Sequence, residues 1–221
     1  MRLKNMKKAF KIAVDGPSGS GKSTIAKKVA KKLEIEYIDT GAMYRAVGYK
    51  MICEGISRGE TNRIREILSR TEIDFRGTDI FLDGICISNK IRTPEVAKMA
   101  SSFSALPEVR EKLVELQRKM AGEKSIIMDG RDIGTNVLSD AEYKVFLTAS
   151  IRERALRRWK EMKDKGEEIS LKQVEDEMIQ RDFNDATRTI NPLRKAKGAL
   201  EIDTTEMTIE EVVETIIQSI K

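Results

Sequence analysis

Residues 16–24 read Gly16-Pro17-Ser18-Gly19-Ser20-Gly21-Lys22-Ser23-Thr24, directly after the strand-like run Ile12-Ala13-Val14-Asp15 and directly before a stretch with apolar residues at helical spacing. No other feature restricts the chain as far, because the string is a full GxxxxGKS match in the strand-loop-helix context such a motif requires. Glycines let the backbone curl until several N–H groups point inward, and the helix N-terminus adds positive potential. Lys22 then bridges the outer phosphates of a bound anion. Ser23 offers an oxygen to Mg²⁺, an ion that keeps most of its waters and takes few protein ligands. The implied ligand is a nucleoside triphosphate, ATP, held by residues Gly16 to Thr24.

Composition removes several classes of chemistry. The chain has no histidine, so histidine triads, HExxH zinc sites and histidine general bases are excluded. Cys53 and Cys86 form no CxxC pair. The 41 basic and 36 acidic residues are interleaved, with a net charge of +5, which favours anionic ligands without the polycationic arm of a nucleic-acid binder. No apolar run approaches the ~20 residues that span a bilayer, and the basic stretch from Met1 to Lys11 leads into no signal-type apolar region. The expectation is a cytoplasmic monomer acting on small molecules, with neither a membrane nor a nucleic acid as partner.

Short apolar runs at 11–15, 36–39, 125–129, 144–148 and 199–203 alternate with helical patterns at 22–33, 42–54, 61–70, 93–101, 107–121, 151–165, 171–187 and 209–219. That alternation predicts an α/β fold of three layers with a central parallel sheet. Between 71 and 89 the period changes to two. The segments 73–75, 80–82 and 85–88 predict a small antiparallel meander, of undecided role, inserted in that frame. A guanine-binding switch would need NKxD, and Asn89-Lys90-Ile91-Arg92 lacks the aspartate.

Two further strings, Asp39-Thr40-Gly41-Ala42-Met43-Tyr44-Arg45 and Asp129-Gly130-Arg131-Asp132-Ile133-Gly134-Thr135, join the glycine-rich loop in order. With Arg92-Thr93-Pro94-Glu95-Val96 and Pro192-Leu193, they make the chain resemble the bacterial cytidylate kinase family from Lys11 nearly to its end. The resemblance implies a P-loop fold of nucleoside monophosphate kinase type and transfer of the γ-phosphoryl group of ATP to CMP or dCMP. It implies one domain over 1–221, with a core at about 10–40, 123–150 and 170–221. A monophosphate-binding region would cover about 41–122, with the β insert at 71–89, and a short lid about 151–169. The missing histidine fits this chemistry, because the acceptor is a phosphate oxygen already ionised near neutral pH. What such a reaction needs is two polyanions held in line and their repulsion neutralised.

Arginine suits that task, since its planar fork takes phosphate oxygens in pairs. By resemblance, Thr40, Arg45, Arg131 and Arg188 hold the phosphates, and Arg181 and Asp185 lie near the acceptor sugar. Ser101, Arg110 and Asp132 read cytosine, with a carboxylate accepting from the N4 amino group that uracil lacks. Lys22, Arg131, Arg188 and Asp129 form the catalytic set. Asp129 is either an acidic partner to Mg²⁺ waters or a turn residue before Gly130. Arg154, Arg157 and Arg158 share one helix face, which is either a lid or a solvated basic surface; Arg157 and Arg158 are the expected ATP contacts. Asn136 and Phe183 receive no role, and Met43 and Met51 read as core filler. The competing readings are a kinase for UMP or another small acceptor, and a module in which ATP gates contact with a nucleic acid.

Overall fold

The computed structural model describes residues 9–164 and 166–220. The basic N-terminal residues 1–8 and Lys165, read above as part of the lid, lie outside the described residues. The chain divides into two compact units, residues 1–37 with 123–221, and residues 38–122.

The first unit is built on a sheet ordered β2-β6-β1-β7-β8, with β1 Lys11–Asp15, β6 Ile126–Gly130, β7 Tyr143–Thr148 and β8 Leu200–Asp203; its edge strand β2 Glu36–Asp39 begins in this unit and ends in residues counted with the second. β1 runs parallel to β6 and β7, and β7 parallel to β8, in the register Val14↔Asp129 and Asp15↔Gly130. Both faces of β1 are sealed: Ile12, Ala13 and Val14 are fully buried, as a covered parallel sheet demands. Helices α1 (Lys22–Leu33) and α8 (Ile209–Ser219) cover one face, where Ile25, Val29, Val212 and Ile216 meet Ile12, Val14 and Ile127. The lysines on α1's outer side stay in water, and two of them pair with Glu210 and Glu214 of α8.

Helices α6 (Ile151–Asp164) and α7 (Leu171–Thr187) form a hairpin with its own apolar cluster of Ala155, Met162, Val174 and Met178. Trp159 Nε1 donates to the Ile169 carbonyl at 2.9 Å, and Ser170 with Gln173 makes a capping box that starts α7.

In the second unit, α2 (Thr40–Cys53), α3 (Thr61–Ser69), α4 (Pro94–Phe103) and α5 (Pro107–Ala121) accompany a three-stranded antiparallel sheet. Its strands are β3 Ile73–Arg76, β4 Asp79–Leu82 and β5 Ile85–Cys86. Asp83 and Gly84 both have positive φ, the backbone a two-residue hairpin turn needs. The third strand is shorter than the predicted 85–88, because Ser88 turns its hydroxyl back to Asp79 and the chain enters a 3₁₀ turn at Lys90–Arg92. Lys50 of α2, almost fully buried, meets Asp83 at 2.7 Å and ties this sheet to the helix.

Pro94 and Pro107 open their helices at positions where a missing N–H costs nothing. Among the described residues, no helix is long and apolar enough to cross a membrane.

Candidate active site

The loop after β1 takes a conformation that only glycine permits at its critical points. Gly16 has φ +149°, and a Cβ there would lie 2.0 Å from the Leu147 carbonyl oxygen. Gly21 caps α1 in the left-handed region and offers no side-chain cap, and α1 carries no acidic residue in its first turn. The first amides of α1 therefore have no carboxylate of their own. Lys22 is buried; its Nζ donates to the Pro17 carbonyl at 2.5 Å and to Ser20 Oγ at 3.3 Å. Burial first, then the neighbouring Arg131 and Arg181, hold the Lys22 ammonium well below its usual range, against the pull of Asp129 and Asp15. Several cations crowded around one buried amine make a place that an incoming polyanion stabilises.

Beside Lys22, Ser23 Oγ donates to Asp129 Oδ2 at 2.7 Å, and the Tyr37 hydroxyl donates to Asp129 Oδ1 at 2.7 Å. Asp129 thus stands at the sheet's carboxyl edge with both oxygens oriented, beside the serine of the loop. These are hard oxygen donors of the kind Mg²⁺ accepts. Among the described residues, no group of three acidic, histidine or cysteine side chains forms a closed metal cage.

Four predicted acceptor residues come together in the same unit. Arg131 Nε donates to Asp185 Oδ2 at 2.8 Å, and Arg188 donates to Asp132 Oδ1 at 3.0 Å. Burial works against the charge on Arg131, yet Asp185 and the nearby Asp129 and Asp182 raise its pKa. Asp185 is correspondingly low: Arg131, Arg181 and Arg188 outweigh its burial. Asn136 now has a place, with its amide donating to Asp132 Oδ2 at 3.0 Å. Arg188 also donates to the Asn191 carbonyl at 2.7 Å, and the Asp185 carbonyl accepts from Leu193, which explains why Pro192-Leu193 follows closely.

The second unit holds the remaining acceptor candidates. Thr40 is the buried first residue of α2, and Asp39 caps that helix, accepting from the Ala42 N–H at 2.8 Å and pairing with Arg45 at 3.1 Å. Ser101 lies inside α4, next to Ala100, where α2 crosses so closely that a Cβ on Gly48 would stand 2.8 Å from the Ala100 nitrogen. Arg110 is almost wholly buried, donating to the Ser104 carbonyl at 3.4 Å, with its guanidinium 5.8 Å from the Tyr44 ring centre.

The three arginines of α6 part company. Arg154 is the one that reaches the loop: it donates to the Ser18 carbonyl at 3.0 Å, to Ala149 O at 2.9 Å and to Asp182 at 2.5 Å. Arg157 donates to Thr204 and Glu153, and Arg158, partly exposed, pairs with Glu161 at 3.2 Å. Phe183 is exposed on α7. Sequence reasoning missed Asp15, Tyr37, Tyr44 and Asp182. Asp15 is marked only by its polarity at the end of an apolar run, and Tyr37, within the strand Glu36–Asp39, by nothing in the sequence.

The cytidylate kinase family profile matches residues 12–221. A cytidylate kinase from Caldanaerobacter subterraneus subsp. tengcongensis is 51% identical over 211 residues, covering 96% of this chain and 94% of that one. Another, from Caldicellulosiruptor saccharolyticus, is 51% identical over 215 residues, covering 96% and 95%. Among solved structures, a shikimate kinase from Acinetobacter baumannii aligns with a TM-score of 0.51 at 16% identity, covering 99% of this chain and 96% of that one, a likeness of fold. With its phosphate loop, its ordered strings and half its residues shared along nearly its whole length, the chain belongs to the cytidylate kinase family.

Proposed function

We propose that the chain transfers the γ-phosphoryl group of ATP to CMP, and to dCMP, giving the diphosphate and ADP. The observation that carries this reading is the buried Lys22 at the head of α1, its charge opposed by Arg131 and Arg181. A site in that condition favours bound phosphates over water, and the neutralisation it offers is the main thing an in-line phosphoryl transfer asks of a protein. Residues Gly16 to Thr24 cradle ATP, with Arg157 and Arg158 as further contacts from a lid at 151–169. Ser23 would hold Mg²⁺ and Asp129 would orient its waters; the ion supplies charge neutralisation between the phosphates.

On the acceptor side, Thr40, Arg45, Arg131 and Arg188 hold the CMP phosphate. Arg181 and Asp185 address the sugar, and Ser101, Arg110 and Asp132 read the base. The region 41–122 closes on the nucleotide, and the core at 10–40, 123–150 and 170–221 carries the loop. Closure excludes water, so ATP hydrolysis without CMP is slow. The protein acts as a cytoplasmic monomer.

Incubation with ATP, Mg²⁺ and each of CMP, UMP, AMP and GMP tests the reading, with CDP as the dominant diphosphate expected. A different preferred acceptor would reassign the base-reading residues. No diphosphate from any of the four, together with ATP-dependent binding of RNA, would overturn the proposal.

A further inference from the structure

Asp15 is the last residue of β1, fully enclosed, and the phosphate-transfer reading gives it nothing to do. Its carboxylate accepts from the Ile133 N–H at 2.8 Å and from the Gly134 N–H at 2.7 Å. Those amides begin the π-type turn Ile133–Val137, directly after Asp132. The turn's own bonds run from the Asn136 and Val137 N–H groups back to the Asp132 carbonyl, and the first amides, which a turn cannot satisfy itself, are taken by two charge-assisted bonds from a neighbouring strand. Gly134 fits closely, with a Cβ there 3.4 Å from Asp15 Oδ2 and 3.3 Å from the Ala196 side chain. The strand that delivers the ATP loop therefore also grips the segment bearing Arg131 and Asp132.

We propose that Asp15 is a positioning residue for the acceptor side: its carboxylate, clasping the Ile133 and Gly134 amides, sets the direction in which Asp132 is presented to the base. Arg188 and Asn136 hold the Asp132 oxygens from the far side, so the carboxylate is fixed at its backbone and at its tip. The inference rests on the base-reading role given to Asp132 above.

The clasp responds to protons. Burial pushes the Asp15 carboxyl up to about 6, opposed by the two amide bonds and Lys22 of α1, and aided by Asp132 of the turn. The β7 residue in register with Asp15, Phe146, is uncharged. A protonated Asp15 accepts through one oxygen and carries a hydrogen on the other, which is the hydrogen-bonding pattern of asparagine.

Asp15→Asn is therefore the test, read as the ratio of wild-type to variant kcat/KM for CMP across pH. The ratio cancels the ionisation of CMP's own phosphate. It should stand near one at about pH 5, where the wild type resembles the variant, and rise to about tenfold above pH 7, the loss of one good hydrogen bond. The increase should fall on KM for CMP, with KM for ATP within about twofold. A ratio that does not change with pH would overturn the inference, since a merely structural defect would act at every pH.

If the variant does not fold, the wild-type protein decides. The backbone amide resonances of Ile133 and Gly134 should titrate together near pH 6 and lose exchange protection below it; independent or absent titration overturns the clasp. Asp132→Ala separates the two readings. Should it leave the CMP to UMP preference intact while the amides still titrate, the base-reading role falls, the clasp remains as a fact of the fold, and the positioning inference falls with it.

Discussion

Two strand-to-helix junctions in this chain, both proposed to meet a phosphate group, are built differently. β1 runs into α1 through a glycine-rich loop, and the helix that follows has a glycine cap, no acidic first turn and a lysine bonded to the loop's own carbonyl. β2 runs into α2 with no loop at all, and Asp39 caps the helix with a carboxylate while holding Arg45. An aspartate cap stabilises a helix by about 1 kcal/mol and leaves its end satisfied. A helix end without one is left with unpaired amides that an anion can take. The first junction therefore offers main chain, indifferent to what lies beyond the phosphates, and the second offers side chains, which can be selective.

The contrast breaks most visibly at Lys22. Lys22→Ala should reduce turnover by about 10³-fold while thermal unfolding shows an intact fold, because an electrostatic contact made in the transition state is lost without opening the core. Turnover within tenfold of wild type would mean that the loop's amides suffice alone.

The same junction should show an unusual pH dependence of stability. The Asp15 carboxyl is pushed up to about 6 from its ordinary 3.8, so between those values the folded chain keeps a proton that the unfolded chain has released. Stability from this group is present at low pH and falls as pH rises through that window, by on the order of 2 kcal/mol. Urea unfolding of wild type and Asp15→Asn at pH 4 and pH 7 checks it. The wild type should lose more than the variant, and an equal or smaller loss contradicts the assignment.

Further along the helix that leaves the second junction, Gly48→Ala presses a methyl group against the Ala100 backbone and displaces α4 with Ser101. The expected result is about a tenfold rise in KM for CMP and about 1–2 kcal/mol of lost stability, with KM for ATP unchanged. Equal changes in both Michaelis constants would show that the two junctions are not separable. The smallest effect belongs to Asp39→Asn. Asparagine still caps α2, but Arg45 loses its charged partner, so KM for CMP should rise about fivefold with stability within about 1 kcal/mol. A fall in KM would mean that the carboxylate competes with the acceptor phosphate.

Where order is local, the chain could be read directly. The strand at 11–15, the loop, and the helices at 22–33, 107–121 and 171–187 follow from periodicity, proline at a helix start, and capping residues. The string around Arg181, Asp185 and Arg188 is legible only through its resemblance to the family, because its spacing fits an ordinary salt-bridged helix face equally well. What spacing cannot tell is the partner: Asp185 turns to Arg131, just past the end of β6, rather than to its own helix, and Asp132 to Arg188. The π-type turn at 133–137 left no trace, because its start is held by Asp15, 118 positions earlier in the chain. Arg157 and Arg158 are the expected ATP contacts and Arg154 is not, yet it is Arg154 that the packing of α6 on α7 buries and whose guanidinium reaches Ser18.

The tie between Trp159 and the Ile169 carbonyl spans the turn of the α6–α7 hairpin. Because the chain contains one tryptophan, all of its indole emission originates at that point. Movement that strains or frees this hairpin is therefore visible as a spectral shift without any label, and the same signal is blind to events confined to the other unit.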